Sequence, residues 1–161
     1  DSMKFIKGTR QAEIELFEQP TPRGKLEQLA HVTKNTSIPV MADESLLSLK
    51  DVFRLSKDHH MDLINIKLMK TGGILEGMHI NSVAKAAGIS AMVGCMDESA
   101  LGIAAGLHLA LSRPNIKYAD LDGHLDIIND PFEGLLRIQD GEMIPPESIG
   151  LGWIGMKPGA F

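Results

Sequence analysis

The stretch Ile64-Asn65-Ile66-Lys67-Leu68-Met69-Lys70-Thr71-Gly72-Gly73 begins inside an apolar strand, read over residues 63–67, and leaves it through a lysine and a Gly-Gly turn. Buried strands normally fill their interior with Val, Ile and Leu, so a lysine at the carboxyl end calls for a chemical reason. The same layout recurs on both sides. Upstream, residues 14–17 read as a strand ending at Glu18, where Pro20 and Pro22 forbid its continuation. A helix over 25–34 follows, then a strand over 38–42 that ends at Asp43-Glu44-Ser45. A helix over 49–58 comes next, with Ser48 placed to cap it and Asp51 in its first turn. Downstream, Gly72-Gly73 turns into a helix over 74–87, with Gly88 suited to close it. A strand over 89–93 leads into Gly94-Cys95-Met96-Asp97-Glu98-Ser99, a small-residue helix over 100–111 stops before Pro114, and a strand over 116–121 carries Asp120, with Asp122 just beyond.

Alternating strands and helices predict a parallel sheet. Glu18, Asp43, Lys67, Glu98 and Asp120 each stand at a strand's carboxyl end, about 25 residues apart with one longer step. That is the layout of a (β/α) barrel, whose active sites lie at the carboxyl ends of its strands. A flavodoxin-like open sheet obeys the same ligand rule and is the alternative. A complete barrel needs eight strands and about 250 residues, whereas this chain of 161 supplies five strands. The expected fold is therefore α/β, a partial TIM-type barrel over residues 1–130. Residues 131–161 add a small hairpin, with Asp140-Gly141 as its turn, and a Pro/Gly-rich tail.

Composition limits the partners. A hydrophobic content of 43% is enough for a globular core, and a net charge of -5 argues against nucleic-acid or anionic-membrane surfaces. No apolar run reaches a membrane span and the start does not resemble a signal peptide. The single cysteine, Cys95, excludes an internal disulfide and suits a reducing cytoplasm, its plain reading being a small buried apolar residue. A homo-oligomer is allowed by the sequence and not specified by it.

Glu18 and Asp43, on adjacent strand ends, offer the carboxylate oxygens that a hard cation such as Mg²⁺ selects. Taken singly, each has a plain reading as a helix-end or loop residue. Beside such a cation, positive charge and partial burial would favour the neutral amine of Lys67, able to take a proton from a carbon next to a carboxylate. A lysine snorkelling at a strand end is the competing reading. Asp120 and Asp122, two apart on extended chain, would present two acceptors to a cationic substrate group, or form a solvated Asp-Gly turn. His59-His60 is adjacent rather than i, i+4, and reads as a helix end rather than a metal pair.

Five motifs carry a family resemblance: Glu18-Gln19-Pro20, Ala42-Asp43-Glu44-Ser45, Lys67-Leu68-Met69-Lys70-Thr71-Gly72-Gly73, Gly94-Cys95-Met96-Asp97-Glu98-Ser99 and Ala119-Asp120-Leu121-Asp122-Gly123. Together, and in this order, they resemble the enolase superfamily, its muconate lactonising subgroup, and within it the dipeptide epimerases of the L-Ala-D/L-Glu type. The resemblance implies barrel strands four to eight, Glu18 and Asp43 as Mg²⁺ ligands, and Lys67 as one of two catalytic lysines. It also implies that Asp120 and Asp122 hold the substrate's α-ammonium, that Glu98 lines the site, and that Glu44 supports the metal ligands without touching the ion.

The implied activity is an isomerase's: epimerisation of a dipeptide by 1,1-proton transfer through an enediolate. Muconate cycloisomerase, succinylbenzoate synthase and N-acylamino acid racemase activities are the alternatives within the family, and a non-catalytic half-barrel the alternative outside it. The family's capping domain, its Lys-x-Lys strand and its first metal-ligating Asp have no counterpart here. The chain thus resembles the C-terminal part of a larger enzyme, inactive alone, needing the missing N-terminal half as partner, with the tail packing against the absent cap.

Overall fold

The computed structural model describes residues 1–152. Five strands, β1 (Phe17–Glu18), β2 (Val40–Ala42), β3 (Leu63–Lys67), β4 (Ser90–Gly94) and β5 (Ile116–Asp120), form one sheet. They are ordered as in the sequence and every neighbouring pair is parallel. Helices α2 (Leu26–Lys34), α3 (Leu49–Lys57), α5 (Ile74–Ala86) and α6 (Ala100–Ser112) provide the crossovers. Sequential order with a helix between successive strands curls the sheet into part of a (β/α) barrel, not the crossed order of an open doubly wound sheet. A first helix, α1 (Ser2–Gly8), precedes β1, and β6 (Arg137–Gln139) pairs antiparallel with β7 (Glu142–Ile144) as a hairpin.

The period of two along each strand separates two cores. Val40, Ala42, Ile64, Ile66, Ala91 and Val93 face outward and pack with Leu29, Val52, Leu55, Ile80, Ile103 and Leu107 of the helices. Met41, Leu63 and Met92, with Leu16, form a separate cluster on the inner face. One step further along, the inner positions turn polar: Glu18, Asp43, Asn65 and Lys67. The apolar inner cluster is thus a floor, and the polar layer above it lies at the carboxyl ends of the strands.

Several boundaries differ from expectation for identifiable reasons. β1 and β2 are short because Pro39 has no N–H to continue the ladder; its carbonyl still accepts from Phe17 N at 2.8 Å. Residues after Lys67 form an unexpected one-turn helix, α4 (Leu68–Thr71), closed by Gly72 at φ 95°. Ser48 caps α3 as expected, accepting from Asp51 N. The lone Ser99 leaves α6 uncapped by its own side chain, and Asp130 substitutes: its Oδ2 accepts from Ala100 N at 2.6 Å and its Oδ1 from Phe132 N at 2.9 Å. His59, at φ 48°, and His60, whose ring meets the Leu55 carbonyl, end α3. Of the expected tail at 145–161, residues 153–161 lie outside the described residues.

Candidate active site

The strands deliver Glu18, Asp43 and Lys67 side by side. Lys67 Nζ stands 3.2 Å from Asp43 Oδ2, and both side chains are mostly buried. The other Asp43 oxygen is paired with Lys70, whose ammonium also donates to the Asp43 carbonyl at 2.9 Å. Lys70 stands in the quoted Lys67-to-Gly73 motif but carries no assigned role from sequence, because the turn that bears it does not read as helical. The one-turn α4 brings the residue three after Lys67 back over the site. Glu44 is exposed and acts on Lys70 through its charge rather than by a contact with Lys67.

Gln19 joins the ends of β1 and β2. Its Oε1 accepts from the backbone N–H of Asp43 at 2.9 Å and of Ser45 at 3.1 Å, and its Nε2 donates to Ser45 Oγ at 3.0 Å. Glu18 is held differently, by Asn65 Nδ2 donating to its Oε1 at 2.7 Å. Gln19 stands in the quoted Glu18-Gln19-Pro20 motif and Asn65 in the strand before Lys67, but the sequence assigns neither amide a role, since each is a common polar residue.

On the other side, Asp120 ends β5 in register with Gly94, itself in register with Lys67. Asp120 is exposed and near enough to Lys67 to stabilise its charge. Asp122 Oδ1 meets the Cys95 thiol at 3.8 Å, and the Gly123 N–H points at Cys95 Sγ at 3.3 Å. Glu98 accepts locally from Met96 N at 3.2 Å and, with Asp120 and Asp122, surrounds Cys95 with negative charge. Cys95 is therefore only partly buried and sits among acids, a correction to its reading as a buried apolar residue.

The protonation of Lys67 is set by opposing causes. Burial lowers its affinity for the proton, but the hydrogen bond and charge of Asp43, with Glu18 and Asp120 behind it, outweigh burial and raise the pKa. For Lys70 burial wins, with the neighbouring Lys67 adding to it, and the pKa is lowered despite Asp43. A pair of lysines sharing one aspartate is thus split in opposite directions.

Glu18 and Asp43 supply hard carboxylate oxygens from adjacent strand ends, the donor chemistry a divalent cation takes. They offer part of a ligand set and not the whole: among the described residues no group of three His, Cys, Asp or Glu side chains is placed to hold a metal. Among those residues, too, no helix is long and apolar enough to cross a membrane.

The hydrophobic dipeptide epimerase of Enterococcus faecalis is 41% identical over 94% of this chain, which covers 44% of that protein. The substrate-liganded structure of L-Ala-D/L-Glu epimerase from Bacillus subtilis superposes with a TM-score of 0.91 at 40% identity, over 97% of this chain and 44% of that one. The structure of the Enterococcus faecalis dipeptide epimerase with Mg and the dipeptide L-Leu-L-Tyr has a TM-score of 0.75 at 46% identity, over 76% of this chain and 35% of that one. The chain spans less than half the length of these relatives. The family model described as enolase C-terminal domain-like matches residues 1–154, and the chain belongs to that family.

Proposed function

We propose that this chain is the Lys67-bearing part of a Mg²⁺-dependent dipeptide epimerase of the cytoplasm, an isomerase that moves the α-proton of a dipeptide between two faces. The observation that carries the reading is the juxtaposition of Lys67 with Asp43 at 3.2 Å, on an inner face that also bears Glu18. Glu18 and Asp43 would hold the cation, which supplies positive charge at the substrate carboxylate and so makes the adjacent carbon more acidic. Lys67 then gives or takes a proton at Nζ, with Asp43 fixing where that atom stands. Asp120 and Asp122 accept from the substrate's α-ammonium, and Glu98 lines the wall beside them.

Two features support a working unit larger than this chain. Among the described residues β1 and β5 each pair on one side only, leaving two open edges that a closed barrel would not have. Glu18 and Asp43 are too few to complete a cation's coordination. The hairpin and the segment after it would pack against a capping domain supplied by the same larger unit.

The test is solvent exchange in the full-length protein with Mg²⁺ present. L-Ala-L-Glu or a related dipeptide is expected to take up deuterium from D₂O at its α-carbon and to epimerise. Lys67→Ala is expected to cut epimerisation by at least about 10²-fold, the lower end of what a positioned acid/base group contributes. Turnover of a muconate or succinylbenzoate precursor with no exchange in any dipeptide overturns the reading, as does full epimerase activity in Lys67→Ala.

A further inference from the structure

We infer that Asn65 is a positioning residue of the cation site, acting through Glu18, and that Gly94 is a glycine in order to admit it. The inference rests on the reading of Glu18 as a cation ligand. Asn65 lies in the middle of Leu-Ile-Asn-Ile-Lys and is 0% exposed. A buried amide in an otherwise apolar strand is costly unless its polar atoms find partners. An amide retained for packing or local structure would satisfy both ends. Asn65 satisfies only one: its Nδ2 donates to Glu18 at 2.7 Å, within the range of charge-assisted hydrogen bonds, while its buried Oδ1 has no partner among the described residues. The side chain is thus committed to Glu18.

The neighbouring strand is shaped around that commitment. A Cβ at Gly94 would lie 2.5 Å from Asn65 Oδ1 and 2.7 Å from Nδ2. Gly94 has no positive φ, so space rather than backbone conformation demands glycine there. Any larger residue would push the amide off its hydrogen bond. With Asn65 holding Oε1, Glu18 is fixed in one orientation, and the carboxylate does not have to be ordered when a cation arrives. Groups that orient metal ligands in this way typically change metal affinity 10–100-fold when removed.

The experiment is a double-mutant cycle on Mg²⁺ binding by the full-length protein, read by titration calorimetry without substrate. Asn65→Ala is expected to raise the Mg²⁺ dissociation constant about tenfold or more. In a Glu18→Gln background the same substitution is expected to add less than about twofold, because the carboxylate it orients is gone. Gly94→Ala is expected to reproduce the loss. Should Asn65→Ala fail to fold, Asn65→Ser, too short to reach Glu18, takes its place. An unchanged dissociation constant in the Asn65 variants, or an equal loss with and without Glu18, overturns the inference while leaving the cation site standing. Absence of Mg²⁺ binding by the wild-type protein, or no effect of Glu18→Gln alone, overturns the cation site and this inference together.

Discussion

Cys95 makes the local field of the site measurable. Burial pushes its thiol up, the Gly123 N–H opposes this, and Asp120, Asp122 and Glu98 add to the rise. A thiol whose folded pKa is raised favours the neutral form, so its contribution to stability is full below the unfolded value and is lost as pH rises through the folded one. Iodoacetamide labelling of Cys95, followed by peptide mass spectrometry across pH 7 to 11, is expected to show its inflection above that of an ordinary cysteine, about 8.5. An inflection at or below that of a free cysteine peptide would show that the acids do not act on the thiol as placed. At this scale legibility was uneven. The polar residues at strand ends stood out because they interrupt apolar runs at a repeating interval. Lys70, Gln19 and Asn65 did not, because their importance lies in partners 27, 24 and 47 residues away, which no local pattern reports.

Among the elements, strands and long helices were readable because an apolar run bounded by Gly, Pro or a capping residue has few other outcomes. β3, the central strand, was read to its observed ends. The misses were short pieces decided by their neighbours: the trimmed β1 and β2, set by Pro39, and the single turn α4, set by Gly72. α6 shows a cap that sequence proximity hides, since its first N–H groups look to Ser99 and find Asp130 instead. Because Asp130 is 6% exposed and accepts two backbone hydrogen bonds, Asp130→Ala is expected to cost about 2 kcal/mol, the upper end for loss of a helix cap. Urea denaturation of the full-length protein measures it, with Ser99→Ala as the control expected to stay within about 0.5 kcal/mol.

For the whole molecule, the repeat of strand ends made the barrel class legible, while nothing in these 161 residues signals what would pair with the outer edges of β1 and β5. Hydrogen exchange distinguishes the interior of the sheet from its margins. In a chain of residues 1–161, amides of β3 are expected to be the slowest and those of β1 and β5 among the fastest. In the full-length protein the β1 and β5 amides are expected to slow markedly while β3 changes little. Equal rates at the margins in both forms would mean that the rest of the protein does not complete this sheet. The segment after β5 has a consequence of another kind. Gly123 is wedged so close to the Met96 carbonyl that no Cβ fits between them, and seven residues later Asp130 is tied to the start of α6. The stretch from Gly123 to Asp130, which begins directly after Asp122, is therefore a bridge moored at both banks, one mooring in the β4–α6 connection and the other on the helix that follows it. A substitution in the first turn of α6 would be transmitted along that span toward Asp122, which on the proposed function would change how it meets a substrate ammonium.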